Sequence, residues 1–154
     1  MRIGIVTTWF ERGAAYVSKQ YEELLKEEHE VFIYARGGEE YAIGDPKWDN
    51  ETVYWGKKYP MPANSTYVDN EDFIKWIKQT KVDTVLFNEQ KWWQTIKICR
   101  EFNIKTGAYI DYYTDDTLEM FNIYDFLICN TKRHSSAFSS HKQCYYVPWG
   151  TDTN

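Results

Sequence analysis

Apolar positions fall in short runs, each ending in polar, aromatic or glycine residues: "IGIV" from Ile3, "VFIYA" from Val31, "TVYW" from Thr52, "TVLF" from Thr84, "TGAYI" from Thr106, "FLIC" from Phe126 and "CYYV" from Cys144. They are too short for helices and rich in β-branched and aromatic residues, so they read as strands. Between most of them the spacing changes. Val17, Tyr21, Leu24 and Leu25 fall at i, i+4, i+7 and i+8, and Phe73, Ile74 and Ile77 repeat the pattern, which predicts amphipathic helices. Asp69 or Asn70 supplies an N-cap for the second, with Glu71 and Asp72 in its first turn. Helical segments at Lys91–Phe102 and Thr131–Ser140 complete an alternation of strands and helices. That alternation predicts an α/β class: one Rossmann-like, doubly wound, mostly parallel sheet with helices on both faces, in a single domain over 1–154. Residues 37–70 interrupt it with three of the four prolines and much glycine, and read as long loops around one short strand.

Composition narrows the class. A chain of 154 residues, 43% hydrophobic, can bury one sizeable core. No stretch reaches the roughly 20 apolar residues of a membrane span, and "MRIGIVTTW" does not read as a signal peptide, so a cytoplasmic location is expected. A net charge of −5 argues against nucleic acid or an anionic membrane as the main partner. One local basic patch exists at "TKRHSS", which leaves room for at most peripheral membrane contact. Cys99, Cys129 and Cys144 are far apart in sequence and read as buried free thiols. No two of His29, His134 and His141 stand at ligand spacing beside a cysteine or carboxylate, and no metal or other cofactor is expected. Aromatic content of 18%, with pairs at Trp92-Trp93, Tyr112-Tyr113 and Tyr145-Tyr146, suits either core packing or the faces of sugars.

In an open parallel sheet, ligands bind beyond the carboxyl ends of the strands. The residues there are Thr7-Thr8-Trp9, Arg36-Gly37-Gly38, Asn88-Glu89-Gln90, Asp111-Tyr112-Tyr113, Asn130-Thr131 and Pro148-Trp149-Gly150. Nearly all are polar, aromatic or glycine, as a cleft for a polyhydroxylated ligand requires. A dinucleotide fingerprint needs three glycines after the first strand and "TTWFERGAAY" holds only Gly13, which argues against NAD; a phosphate-binding P-loop fails for want of G-K-[ST]. Arg12-Gly13-Ala14-Ala15 nevertheless leaves helix-start N–H groups bare, a setting that favours an anion. In "DYYTDD" the acids Asp115 and Asp116, with Thr114, read as a cap and acidic first turn for "TLEMF" rather than as a metal site. Asp111 is left over, ending a strand where a carboxylate can accept a ligand hydroxyl or assist proton transfer.

The opening "MRIGIVTTWFERGAAYVSKQYEELLKEEHEVFIYAR" and the closing "FLICNTKRHSSAFSSHKQCYYVPWGTDTN" resemble the N-terminal half of GT-B fold glycosyltransferases, closest to glycosyltransferase family 4. The shared features are a strand, glycine loop and long helix at the start, and a P-x-G-x-D signature at the end, here Pro148, Gly150 and Asp152. The resemblance implies a two-domain retaining transferase in which this half binds the acceptor while a C-terminal half holds a nucleotide sugar and an acidic pair. Asn154 stands where such chains cross to the second domain, so the chain reads as one half of a longer, hexosyltransferase-like enzyme, inactive alone. Trp149 replaces a common asparagine, and Asp111 stands where a histidine–aspartate pair is often found. The implied partners are a nucleotide-sugar donor and a glycan, lipid or small-molecule acceptor. The expected site comprises Asp111 as catalytic residue; Arg12, Gly13 and Ala14 against the donor phosphates; and Trp9, Glu89, Gln90, Asp111, Tyr112 and Asn130 around the acceptor. The competing readings are a free-standing Rossmann-like ligand-binding module and a protein-interaction domain without catalysis.

Overall fold

The computed structural model describes residues 1–36, 41–58, 66–110 and 113–148. The seven apolar runs all form strands: β1 (Arg2–Thr7), β2 (Glu30–Ala35), β3 (Val53–Trp55), β4 (Thr84–Asn88), β5 (Lys105–Ile110), β6 (Phe126–Cys129) and β7 (Cys144–Tyr146). They build one seven-stranded sheet in the order β3-β2-β1-β4-β5-β6-β7, every pairing parallel. The order reverses between β1 and β4, and the region beyond their carboxyl ends is where open parallel sheets bind ligands. Central strands need apolar side chains on both faces, which is why Ile5, Val6, Val85, Phe87 and Leu127 are all fully buried.

Four helices join the strands: α1 (Gly13–Leu25), α2 (Asn70–Thr80), α3 (Gln94–Glu101) and α4 (Lys132–Ala137), with a 3-10 helix at Leu118–Ile123. Val6, Val85, Phe87, Ala108, Ile110 and Leu127 pack with α2, α3 and α4 side chains in one cluster. Ile5, Ile33 and Leu86 point the other way and meet Ala15 of α1 together with Trp9 and Trp48. Helices therefore cover both faces, four segments on one and α1 alone on the other.

The apolar spacing of α1 misidentifies its innermost side. Ala15, Ser18 and Glu22 face the sheet, while Leu24 is 64% exposed. Small residues at 15 and 18 let the helix lie close on β1, where Thr7 Oγ1 and Ser18 Oγ are 2.7 Å apart. Val17, Tyr21 and Leu24 turn aside and line a groove of about 250 Å³ with Tyr109, Val147 and Pro148. Glu22 is drawn inward beside Lys26 at 3.9 Å, and burial raises its carboxyl above the usual range. The acidic stretch also differs from expectation. Thr114 and Thr117 close a turn on each other, with Thr114 N donating to Thr117 Oγ1 at 2.9 Å, and a 3-10 helix follows without a side-chain cap. Asp116 bonds Thr114, which holds its carboxyl below the usual value.

α2 starts as its sequence predicts: Asp69 accepts from Asp72 N at 3.0 Å. Asp72 itself accepts from Tyr34 Oη and Tyr54 Oη, both at 2.7 Å, and from Lys57 N at 2.8 Å, tying β2, β3 and the following loop to one carboxylate. Burial, then the bond to Asp72, pushes the Tyr34 hydroxyl up, and the same causes raise Tyr54 to about 12. Asp72→Ala orphans a buried hydroxyl and should cost about 3 kcal/mol, read as a fall in urea midpoint with an unchanged slope.

Candidate functional site

At the carboxyl edge of β1 and β4 the chain assembles a polar network with almost no solvent inside it. Asn88, closing β4, is 2% exposed; its Nδ2 donates to Ala14 O and Ser18 Oγ, each at 2.9 Å. It thereby fixes the first turn of α1 against the end of β4. Arg36, closing β2, is also 2% exposed and donates to Asn88 O at 2.6 Å and Gln90 Oε1 at 3.2 Å. Gln90 Nε2 passes the chain of bonds on to Thr66 O at 2.8 Å and Trp92 O at 3.2 Å. These bonds join the ends of β2 and β4 to the start of α1. Thr8 Oγ1 and Asn88 Oδ1 are buried there without a hydrogen-bond partner among the described residues.

The first turn of α1 contrasts with those of α2 and α4, where Asp69 and Thr131 cap the helix with their side chains. Arg12 occupies the N-cap of α1 in extended geometry and offers no side-chain acceptor, and no acidic residue stands in the first turn. α3 likewise lacks a side-chain cap and an acidic first turn, so α1 is set apart by its place at the carboxyl edge of β1. Gly13, the first helical residue, does not have positive φ, and a Cβ added to it would meet nothing within 4 Å. Neither backbone conformation nor packing in this domain requires that glycine. Arg12 Nη2 lies 3.9 Å from Glu89 Oε2, a loose pair with the guanidinium 47% exposed. Glu89 has φ of +57°. The other such non-glycine residues, Lys81 and Asn103, end helices, whereas Glu89 sits in the left-handed region at a strand end, where strain commonly marks a site.

The expected site residues thus have different fates. Arg12, Gly13, Ala14, Glu89 and Gln90 come together at this edge, with Gln90 buried and its amide fully engaged. Trp9 is 1% exposed; its indole N–H donates to Trp48 O at 2.5 Å and its ring meets Trp48 edge-on at 5.2 Å, so it is part of the core. Asn130 ends β6, with β5 between it and Asn88; its Oδ1 lies 2.9 Å from His134 Nδ1. Asp111 and Tyr112 lie outside the described residues, as do Gly37, Gly38, Trp149, Gly150 and Asp152. Asn88, Arg36, Ser18 and Thr8 are the contributors that the expected site omitted. Thr8, Arg36 and Asn88 stand among the strand-end residues that the sequence marks, whereas Ser18 is signalled only as a polar residue at helical spacing from Ala14. Among the described residues no three His, Cys, Asp or Glu side chains gather as a metal site, and no helix is long and apolar enough to cross a membrane.

Solved structures share the fold. MurG from Acinetobacter baumannii superposes with a TM-score of 0.67 at 11% identity, covering 100% of this chain and 47% of its own. Sucrose-phosphate synthase from Thermosynechococcus elongatus gives 0.67 at 14%, covering 99% and 49%. The chain shares its fold with about half of each of these GT-B glycosyltransferase structures. An alpha-glucosyltransferase complexed with UDP-glucose and DNA containing an abasic site matches at 0.54 and 12% identity, over 95% of this chain and 42% of that one. The chain spans just under half the length of each of these neighbours. No protein-family model matches it, and no curated protein matches it significantly.

Proposed function

We propose that the chain is the acceptor-side half of a retaining glycosyltransferase that moves a sugar from a nucleotide-sugar donor to a sugar-containing, lipid or small-molecule acceptor. One observation carries the reading: α1 begins at the carboxyl edge of the central strand with no cap, no acidic first turn and a glycine that its own domain does not need. Such a terminus suits the diphosphate of a donor held between two domains, with N–H groups and the helix dipole on one side and the forked, permanently charged Arg12 on the other. Glu89, Gln90, Asn130, Asp111 and Tyr112 border the acceptor in this reading, with Asp111 assisting proton transfer. Trp9 supports that edge from beneath. No metal is assigned to the reaction, because the cationic end of α1 and Arg12 supply positive charge at the leaving diphosphate.

The test is donor turnover in the protein carrying both halves. A panel of nucleotide sugars should include one from which nucleoside diphosphate is released in the presence of acceptor. These 154 residues alone should fold and give no turnover, because transfer in a cleft needs both walls placed to within about 1 Å. Turnover by the isolated chain, or a two-domain protein that binds no nucleotide sugar, would overturn the reading and favour a binding module.

A further inference from the structure

Cys129, which ends β6, and Cys144, which begins the edge strand β7, bring their sulfurs to 3.4 Å, although 15 positions separate them in the chain. All three cysteines are free thiols, as expected, with Cys99 and Cys129 buried and Cys144 partly exposed. Leu127 pairs with Cys144 and Cys129 with Tyr146, so the two cysteines lie diagonally across the β6–β7 ladder on one face of the sheet. Joining them requires the sulfurs to close from 3.4 Å to about 2.05 Å. β7 can supply that movement, since it is three residues long and paired on one side only.

We propose that Cys129 and Cys144 form a reversible thiol–disulfide modification site whose oxidant is hydrogen peroxide. Cys144 is the more exposed of the two residues. Its thiolate attacks one peroxide oxygen, the O–O bond breaks, and Cys144 becomes a sulfenic acid while the departing hydroxide takes up a proton to leave as water. The Cys129 sulfur then displaces the sulfenic hydroxyl, which leaves with the Cys129 proton as a second water. Two electrons pass from the pair of sulfurs to the peroxide, and a dithiol reductant reverses the change. The order follows from the setting: burial, and then the contact with Cys144, push the Cys129 thiol up to about 12, so it stays protonated until an electrophilic sulfur is presented to it. The bond would close a loop carrying α4 and pin the edge strand, which leads directly into Val147 and Pro148 in the groove beside α1.

Peroxide treatment of the purified chain, alkylation of remaining thiols, and peptide mapping read the outcome without reference to any enzymatic activity. The expected product lacks two hydrogens, contains a Cys129–Cys144 cross-linked peptide with Cys99 still alkylatable after unfolding, melts about 8 °C higher, and reverts with dithiothreitol. Cys144→Ser, at a partly exposed position, should fold normally and lose the peroxide-dependent rise. Recovery of Cys144 as sulfinic or sulfonic acid with Cys129 still free overturns the proposal, as does a disulfide that joins two molecules.

Discussion

Gly4→Ala is expected to lower the melting temperature by about 9 °C, whereas Gly13→Ala leaves it unchanged or slightly higher. Gly4 lies in β1, the strand flanked by β2 and β4, and a Cβ there would sit 2.4 Å from Trp76 Cη2. The indole cannot step aside: Trp76 is 1% exposed and packs against Phe73 and Tyr34 at ring separations of 5.6 and 5.4 Å. Relief must come from displacing α2 or bending the strand, at about 3 kcal/mol. Gly13 meets no such obstacle, and alanine at a helical position returns about 0.5 kcal/mol of backbone entropy. The larger Gly13→Val separates fold from function in the two-domain protein. Its side chain would stand over the N–H groups at the start of α1 and weaken donor binding at least about tenfold without a matching loss of stability. A Gly13→Val protein that melts early, or one that binds donor normally, would assign that glycine to the turn rather than to the phosphate.

The central strands are legible from the sequence because a parallel sheet buried on both faces demands mostly apolar residues, so β1, β2, β4 and β5 are largely apolar runs of the right length. The site's location is legible for a related reason, since every parallel strand ends on the same edge and the residue after each run can be read off directly. What the sequence hides is how those ends are joined. Asn88 reaches Ala14 and Ser18 only because α1 lies close on β1 and β4, and small residues rather than the large ones of its apolar stripe permit that approach. The same proximity moves Val17, Tyr21 and Leu24 to the side of the helix, where Tyr21 meets Tyr109 of β5. Trp9 is paired with Trp48 by a loop that has no periodicity to betray its course. The contact of Cys129 with Cys144 is set by the β6–β7 register, a tertiary fact that spacing of 15 residues cannot express.

Arg12→Ala in the two-domain protein is expected to reduce kcat/KM for the donor by about 30-fold, the equivalent of about 2 kcal/mol for a charged hydrogen bond to phosphate, while the melting temperature stays within about 1 °C. Stability should hold because the side chain is 47% exposed and its 3.9 Å pair with Glu89 is too long and too solvated to contribute much to folding. Arg12→Lys keeps the charge but loses the fork, and should recover only part of the loss if the guanidinium grips two phosphate oxygens. Glu89→Gln gives a different signature. It frees Arg12 from its carboxylate and keeps the left-handed backbone at 89 in place, so donor affinity should hold or improve while acceptor turnover falls. If Arg12→Ala and Glu89→Gln instead lower the same kinetic constant equally and the double variant is no worse than either alone, the two residues act only through each other. If Arg12→Ala retains wild-type donor kinetics, the arginine has no part in donor binding, and the phosphate role of the α1 start rests on Gly13 and the helix N–H groups.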